Sequence, residues 1–417
     1  MVAVNSKNYG ITPGRWLGMA GLFVCLLLSG CQSTGRSSVA VGPGVGPQAN
    51  QPLGDKKRAY RYDSNIFLDV AVPVFDPGIP ADDAKLEEEG IWPQLRRSEA
   101  NRFAVQTKRA LENTGAFGAV TVVPNPQMTA DLYVIGRIQE SNSEDVKIKI
   151  ELVDISGQKW DEEVFKHRVS KGFYRDKLNE GKDSYEPVFR EIADYVYLQL
   201  LKRSEQRKQE LKKIAAIRFA QSYAPEAFAG YLDTNRRGVV ELKRLPDESD
   251  PMLARMAPLR VQDQLFFDRL QSQYEGFNAK TDESYHSWQK ETLPEVAAAR
   301  EARNAAVVQG ILGAVLVGAA IANSDADSTS SQILTAGVGI GGALLIKNSL
   351  DKSAEARVHK AAIDEMGASL DIEMSPQVIK LNDENVELQG TAQEQYQQWQ
   401  AHLHKIYQME QTPDRQL

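Results

Sequence analysis

Cysteine is nearly absent from this chain. Its 417 residues include two, Cys25 and Cys31, and none after them. The long remainder therefore has no disulfide, no thiolate metal site and no cysteine nucleophile. Histidine is scarce too, with five in all, at 167, 286, 359, 402 and 404. None has the spacing of a zinc-binding helix, and His402 and His404, two apart, point to different sides of a helix. The chain also lacks a Gly-x-Ser-x-Gly elbow, a phosphate-binding glycine loop and a dinucleotide fingerprint. Positive support for an enzyme is missing, and no catalytic residue, metal ligand or cofactor is expected. Glu87-Glu88-Glu89 reads as a solvated loop rather than a paired-carboxylate site. The net charge of −7 is spread along the chain. With no basic face, no nucleic acid partner is expected.

What is present starts at the amino terminus. Lys7 and Arg15 precede an apolar stretch at 16–28, and small residues then lead into Leu28-Ser29-Gly30-Cys31. A cationic start, a short apolar core and small residues describe a secretory signal. The core is short for a bilayer span. An ordinary cleaved signal and an amino-terminal membrane helix remain as the plainer alternatives. The run resembles the lipobox of bacterial lipoproteins. That resemblance implies removal of residues 1–30, followed by acylation of Cys31 on its thiol and its new amino group. Palmitate-like chains, at about 0.8 kcal/mol per buried CH2, make a stable anchor when several are present. Gln32, where some lipoproteins have Asp, implies sorting to the outer membrane.

Residues 31–55, rich in Gly, Ser, Pro and Gln, read as a flexible tether. Residues 56–203 read as an α/β domain. An apolar run at 66–72 predicts a buried strand, and a helical pattern follows at 94–113, closed by Gly115. Strands are expected at 119–123 and 132–138. Val146, Ile148, Ile150 and Leu152 alternate with polar residues, as in a strand half exposed to water. A hairpin partner at 159–169 and a helix at 185–201 complete the unit. The carriers of a resemblance are Val70-Ala71-Val72-Pro73-Val74-Phe75, Thr114-Gly115-Ala116-Phe117, Ala130-Asp131-Leu132-Tyr133-Val134-Ile135-Gly136 and Leu152-Val153-Asp154-Ile155-Ser156-Gly157. This order is similar to a group of periplasmic domains: the curli-secretion channel lipoprotein, the penicillin-binding-protein activator lipoproteins and the TolB amino-terminal domain. The resemblance implies binding or assembly of envelope proteins, without catalysis through these residues.

Residues 204–292 read as a helical region. Leu211, Ile214 and Ile217 are spaced for one helix face, 238–258 reads as a proline-rich loop, and Phe266, Leu270 and Tyr274 mark a further helix. Thr292-x-x-Glu295 fits a capping box that opens another helix. Residues 293–367 read as a helical hairpin. No charge occurs at 304–324 or 328–346, and a polar turn with Asp325 and Asp327 separates the arms. Each arm reaches about 28–30 Å as a helix, enough for a hydrocarbon core. Gly310, Ala314 and Gly318 recur every fourth residue, as do Gly337 and Gly341, so each set forms a helix-packing row. The segment resembles the glycine-zipper two-helix module of outer-membrane surface-antigen lipoproteins. It reads as membrane-inserted or self-associating, the alternative being a tightly packed hairpin inside protein. Residues 368–417 read as a small β-hairpin plus a helix, with Tyr396, Trp399, Leu403 and Ile406 on the covering face.

The fold class expected is α+β: an amino-terminal α/β sandwich domain, a helical middle with a long glycine-rich helical hairpin, and a small β-hairpin/helix tail. The function expected is that of a non-catalytic outer-membrane lipoprotein. Its main domains would face the periplasm and bind or assemble envelope components. Its partners would be outer-membrane lipid through acylated Cys31, an envelope protein the sequence does not name, and further copies of itself. The alternatives are a subunit of an oligomeric export or secretion pore and an envelope enzyme such as a cell-wall hydrolase.

The row at Gly310, Ala314 and Gly318 makes a testable prediction. Gly318→Leu places a side chain where helix backbones would touch, at a cost of about 1–3 kcal/mol. Helix propensity alone favours the same substitution by about 1 kcal/mol. Oligomer or hairpin stability in detergent should therefore fall for Gly318→Leu and hold better for Gly313→Leu. Equal stability of the two variants removes the packing row.

Overall fold

The computed structural model describes residues 60–82, 84–86, 91–126, 128–245, 250–308, 361, 364, 377–381 and 384–411. Cys31 and the row residues Gly310, Ala314, Gly318, Gly337 and Gly341 lie outside them, as do the proposed tether and the arms of the glycine-rich hairpin beyond Val308. The described residues all belong to one unit, Gly46–Leu417. Its class is α+β, with a mixed five-stranded sheet, a long central helix and a small strand–helix tail.

The sheet order is β2-β1-β3-β4-β5. Strand β1 (Val70–Pro73) lies parallel to both β2 (Val120–Val123) and β3 (Leu132–Ser141). β4 (Asp145–Asp154) and β5 (Lys159–Arg168) extend it as antiparallel neighbours. The apolar run that predicts a strand over 66–72 forms regular pairing only from Val70. Alternation along β4 holds: Val146, Ile148, Ile150 and Leu152 are buried, while Lys147, Lys149, Glu151 and Val153 are half-buried on the opposite face. That second face carries ion pairs, Lys149–Glu162 at 3.0 Å and Lys159–Glu151 at 3.5 Å. Such exposed pairs contribute about 0–1 kcal/mol, so burial of the apolar face sets the register.

Two helices cover the buried face. α1 (Pro93–Glu112) begins with proline in its first turn, where the missing N–H costs nothing and φ is preset. It ends at Gly115, whose φ of +63° suits glycine and whose N–H donates to Glu112 O at 3.0 Å. α2 (Glu186–Leu201) packs beside it, with Val188, Ile192 and Val196 fully buried. α3 (Glu205–Tyr223) follows, capped by the Ser204 hydroxyl, which accepts from Arg207 N–H at 3.2 Å. Leu211, Ile214 and Ile217 are buried as their spacing predicts. A short helix α4 (Pro225–Phe228) and a small hairpin of β6 (Leu232–Thr234) and β7 (Val240–Leu242) come next.

The central helix departs from expectation. α5 runs unbroken over Pro251–Val308, through Pro258 and Pro294. At 1.5 Å per residue this is about 87 Å. No new helix opens at Thr292. Its hydroxyl donates to Trp288 O at 2.7 Å, inside the helix rather than at a cap. Each interior proline costs about 3 kcal/mol, and contact along the α/β unit offsets that cost. The working Thr-x-x-Glu box is elsewhere. Thr391 Oγ1 accepts from Glu394 N–H at 3.2 Å, and Glu394 Oε2 accepts from Thr391 N–H at 2.8 Å. It opens α6 (Ala392–Gln411), which follows a hairpin of β8 (Gln377–Leu381) and β9 (Glu384–Leu388). Tyr396, Trp399, Leu403 and Ile406 are buried. Among the described residues no helix is long and apolar enough to cross a membrane.

Gly136 in β3 faces the buried ring of Phe75. A Cβ there would sit 2.5 Å from three ring carbons. Gly136→Ala should lose about 1–3 kcal/mol by overpacking. Phe75→Leu should relieve the clash, so the double variant should lose less than the sum of the singles. Urea midpoints of the three variants check this, and strict additivity counts against the contact.

Candidate functional site

Three strands of the sheet begin side by side, and two carboxylates hold their starts. Asp131, just before β3, has no exposed surface. Its Oδ2 accepts from the backbone N–H of Asp69, just before β1, at 2.8 Å. Asp69 Oδ1 in turn accepts from Ala119 N–H at 3.1 Å, just before β2. Gly118 makes this possible, because a Cβ there would lie 2.3 Å from Asp69 Oδ1. Lys212 of α3 lies 3.0 Å from Asp131 Oδ2 and 3.2 Å from Asp69 Oδ2. Burial pushes the Asp131 carboxyl up, against the pull of Lys212.

The same helix is pinned further along this end of the sheet. Arg207 donates to Asp154 Oδ2 at 3.0 Å and to Ser156 Oγ at 2.8 Å. Arg218, eleven residues on and so on the same side of the helix, donates to Ile155 O. An open groove of about 640 Å³ lies between α3 and the chain entering β1. Ile66, Phe67 and Ala216 give it apolar surface, and Asp69, Gln209, Lys212 and Lys213 give it polar surface. Phe67 is 39% exposed. The Lys212 amine is held by two carboxylates. The groove thus offers apolar contact and positive charge for docking.

A second polar constellation fixes α5 on the domain. Gln271 reads the outer edge of β2, its Oε1 accepting from Val122 N–H at 2.9 Å and its Nε2 donating to Val122 O at 2.8 Å. Glu275 pairs with Lys108 at 3.3 Å, and Asn278 Oδ1 accepts from Asn101 at 3.2 Å. Asp282 pairs with Arg102 at 2.7 Å. Tyr285 donates to Glu99 Oε1 at 3.0 Å, and Gln289 Oε1 accepts from Tyr174 at 3.2 Å. These positions advance by four, three, four, three and four, the heptad spacing of a packing seam, yet all six are polar. Arg300 then closes a two-pronged pair on buried Glu144, at 2.9 and 3.0 Å.

The charges in the seam are strongly perturbed. Burial pushes the Glu99 carboxyl up, against Arg96 and its Ser141 and Tyr285 hydrogen bonds. Burial opposes the Arg102 charge, but Asp183 and Asp282 outweigh it and hold the guanidinium protonated. His286 and Arg102 hold the Asp282 carboxyl well below the usual range, and Asp282 raises His286. Burial pulls the His167 imidazole down to about 4. His404 lies against the Tyr223 ring at 4.6 Å, and His402 stacks beside Trp399 at 6.2 Å. Among the described residues no group of His, Cys, Asp and Glu is arranged to hold a metal ion.

Sequence reasoning does not reach Lys212, Asp131 or the α5 seam as sites. A signal existed for the first two: Asp69 interrupts an apolar run, and Asp131 opens one, so each needs a buried partner. Polar residues at heptad spacing carry no such signal, since a solvated helix face looks the same.

No protein-family model and no curated protein matches the chain. Among solved structures, protein XCC0632 from Xanthomonas campestris, of family DUF330, is similar over 40% of this chain and 95% of its own. The identity is 11% and the TM-score 0.22.

Asp282→Asn tests the seam. It removes one of two carboxylates from Arg102 and should cost about 1–3 kcal/mol, the worth of a hydrogen bond to a charged group. The lowered Asp282 carboxyl contributes stability above its unfolded value, lost as pH falls through its folded one. Raised His286 contributes stability below its unfolded value, lost as pH rises through its folded one. The contribution of the Asp282–His286 pair should thus peak between about pH 4 and pH 6.5, the two unfolded values. Asp282→Asn should flatten both limbs in urea unfolding. An unchanged profile removes the pair from the account.

Proposed function

We propose that this chain is a lipoprotein of the bacterial outer membrane, held by acyl groups on Cys31, whose α/β unit binds another envelope protein. The observation that carries the binding role is the groove beside α3. Its apolar surface is offered by Phe67 and its free positive charge by Lys213, while Lys212 is bound to Asp69 in the groove wall and to Asp131 behind it. A surface of this kind fits a protein segment with apolar and acidic side chains. The lipid anchor rests on Leu28-Ser29-Gly30-Cys31 and the apolar stretch before it. Tyr60, the first described residue, is 29 positions from Cys31. A chain of that length reaches at most about 100 Å when extended, so the groove can work well clear of a lipid surface. The helical hairpin would add self-association or membrane insertion.

Two measurements test this reading. Cys31→Ser should abolish acyl labelling and leave uncut precursor. A photo-crosslinker at position 67 should give one discrete adduct in intact envelopes, lost on Lys213→Glu. The same probe at Leu178, 77% exposed and away from the groove, should not give it. Identical adducts from both positions, or none at 67, overturn the assignment of the groove.

A further inference from the structure

Helices α3 and α5 form an aromatic groove, and α6 fills it. Phe266 of α5 stacks on Trp399, with centroids 5.7 Å apart and planes 12° apart, and also meets Tyr396 at 5.7 Å. Phe267 meets Tyr396 at 4.9 Å, and Tyr223 of α3 meets Tyr407 at 6.3 Å. The buried stripe of α5 here is Leu259, Asp263, Phe266, Phe267 and Leu270. Asp263 therefore stands where the helical pattern demands an apolar side chain. It is 6% exposed, and its Oδ1 has no hydrogen-bond partner. A narrow, partly open cavity of about 50 Å³ adjoins it, lined by Thr121, Thr129, Phe219, Arg260 and Gln264 among others. A site of that size takes a few waters at most.

The groups facing Asp263 come from every packed element. Arg260, one turn earlier on α5, is the cation present, and it forms no ion pair with the carboxylate. Tyr223 faces from α3 and Tyr396 from α6. Asp69 lines the far side of the cavity, His404 lies on Tyr223, and Tyr133 lies beyond Tyr396. Burial holds the Tyr223, Tyr396 and Tyr133 phenols up, so they stay neutral. Burial also pushes the Asp263 carboxyl up to about 7, against the pull of Arg260. An ionised carboxylate here would lack a direct partner in an aromatic wall, a costly arrangement.

We propose that α6 is a reversible latch gated by proton binding at Asp263, closed over the α3–α5 groove when the carboxyl is neutral and loosened when it ionises. A latch opened in this way uncovers the aromatic floor, Phe266, Phe267 and Tyr223. The sign follows from linkage. A carboxyl raised in the closed state binds more protons there than in the open state. Closure is therefore fully favoured below the ordinary carboxylate value of about 4 and weakens as pH rises to about 7. His404 lies on the Tyr223 ring in the same groove, so its variant serves as the control.

Hydrogen exchange of residues 392–411 in the full chain, referenced to β3 amides, tests the latch. Between about pH 5.5 and pH 8.5 the relative opening of α6 should rise at least about tenfold, one pKa unit being tenfold. Asp263→Asn should keep α6 protected at both values, and Asp263→Leu should do so as a second, fully apolar variant. His404→Gln should behave as the wild type. A wild-type ratio that is flat with pH overturns the latch. So does pH dependence that survives in the Asp263 variants or vanishes in His404→Gln, and so does an α6 left open at the lower pH by both Asp263 variants.

Discussion

Asp131 is the constraint around which the domain is arranged. A carboxylate with no exposed surface must be answered, and its Oδ2 is answered by the Asp69 backbone and by Lys212, while Oδ1 has no hydrogen-bond partner. Through Asp69 the bracket reaches Ala119, so β1, β2 and β3 start in step. The parallel part of the sheet is short, four residues in β1 and in β2. Strands so brief gain little from their own ladders, and the bracket supplies what the ladder does not. Lys212 also ties α3 to the strand starts, and that placement creates the groove. Fold and candidate site thus share one set of charges.

The long helix is attached by two different chemistries. Towards its carboxyl-terminal half, Glu275, Asn278, Asp282, Tyr285 and Gln289 meet the polar side of α1 and Tyr174. Nearer its start, Phe266, Phe267 and Leu270 meet the aromatic stripe of α6 and the face of α3. Apolar contact is tolerant of angle, whereas paired hydrogen bonds are not. The polar half therefore sets where α5 lies, and the apolar half sets how firmly the tail is held to it. Asp263 sits inside the tolerant half, where a single charge has the largest effect.

The legible part of this chain is the part written in periodicity. Alternation at Val146, Ile148, Ile150 and Leu152 marks β4 and its buried face, and Tyr396, Trp399, Leu403 and Ile406 mark α6. Gly115 marks the end of α1 through its positive φ. Prolines misled. The proline-rich loop expected at 238–258 gives way to α5 from Pro251, which passes through Pro258 because its neighbours outweigh the local preference. The same limit applies to Thr292 and Thr391. Both begin a Thr-x-x-Glu pattern, and only the second follows a chain reversal at Gly390, where φ is +93°. The candidate groove was not legible, because it arises from α3 crossing three strand starts that lie far apart in sequence.

Gln271 has a consequence for the whole sheet. Its amide pairs with both backbone groups of Val122, as a neighbouring strand would. One side chain thus ends the sheet's growth at β2. The opposite border is β5, which presents Asp161, Glu162, Glu163 and Lys166. A border so charged repels an identical copy approaching in register. The two rims are closed by unlike devices, one by occupancy and one by repulsion. Many copies can therefore crowd together without their sheets fusing into a common fibre.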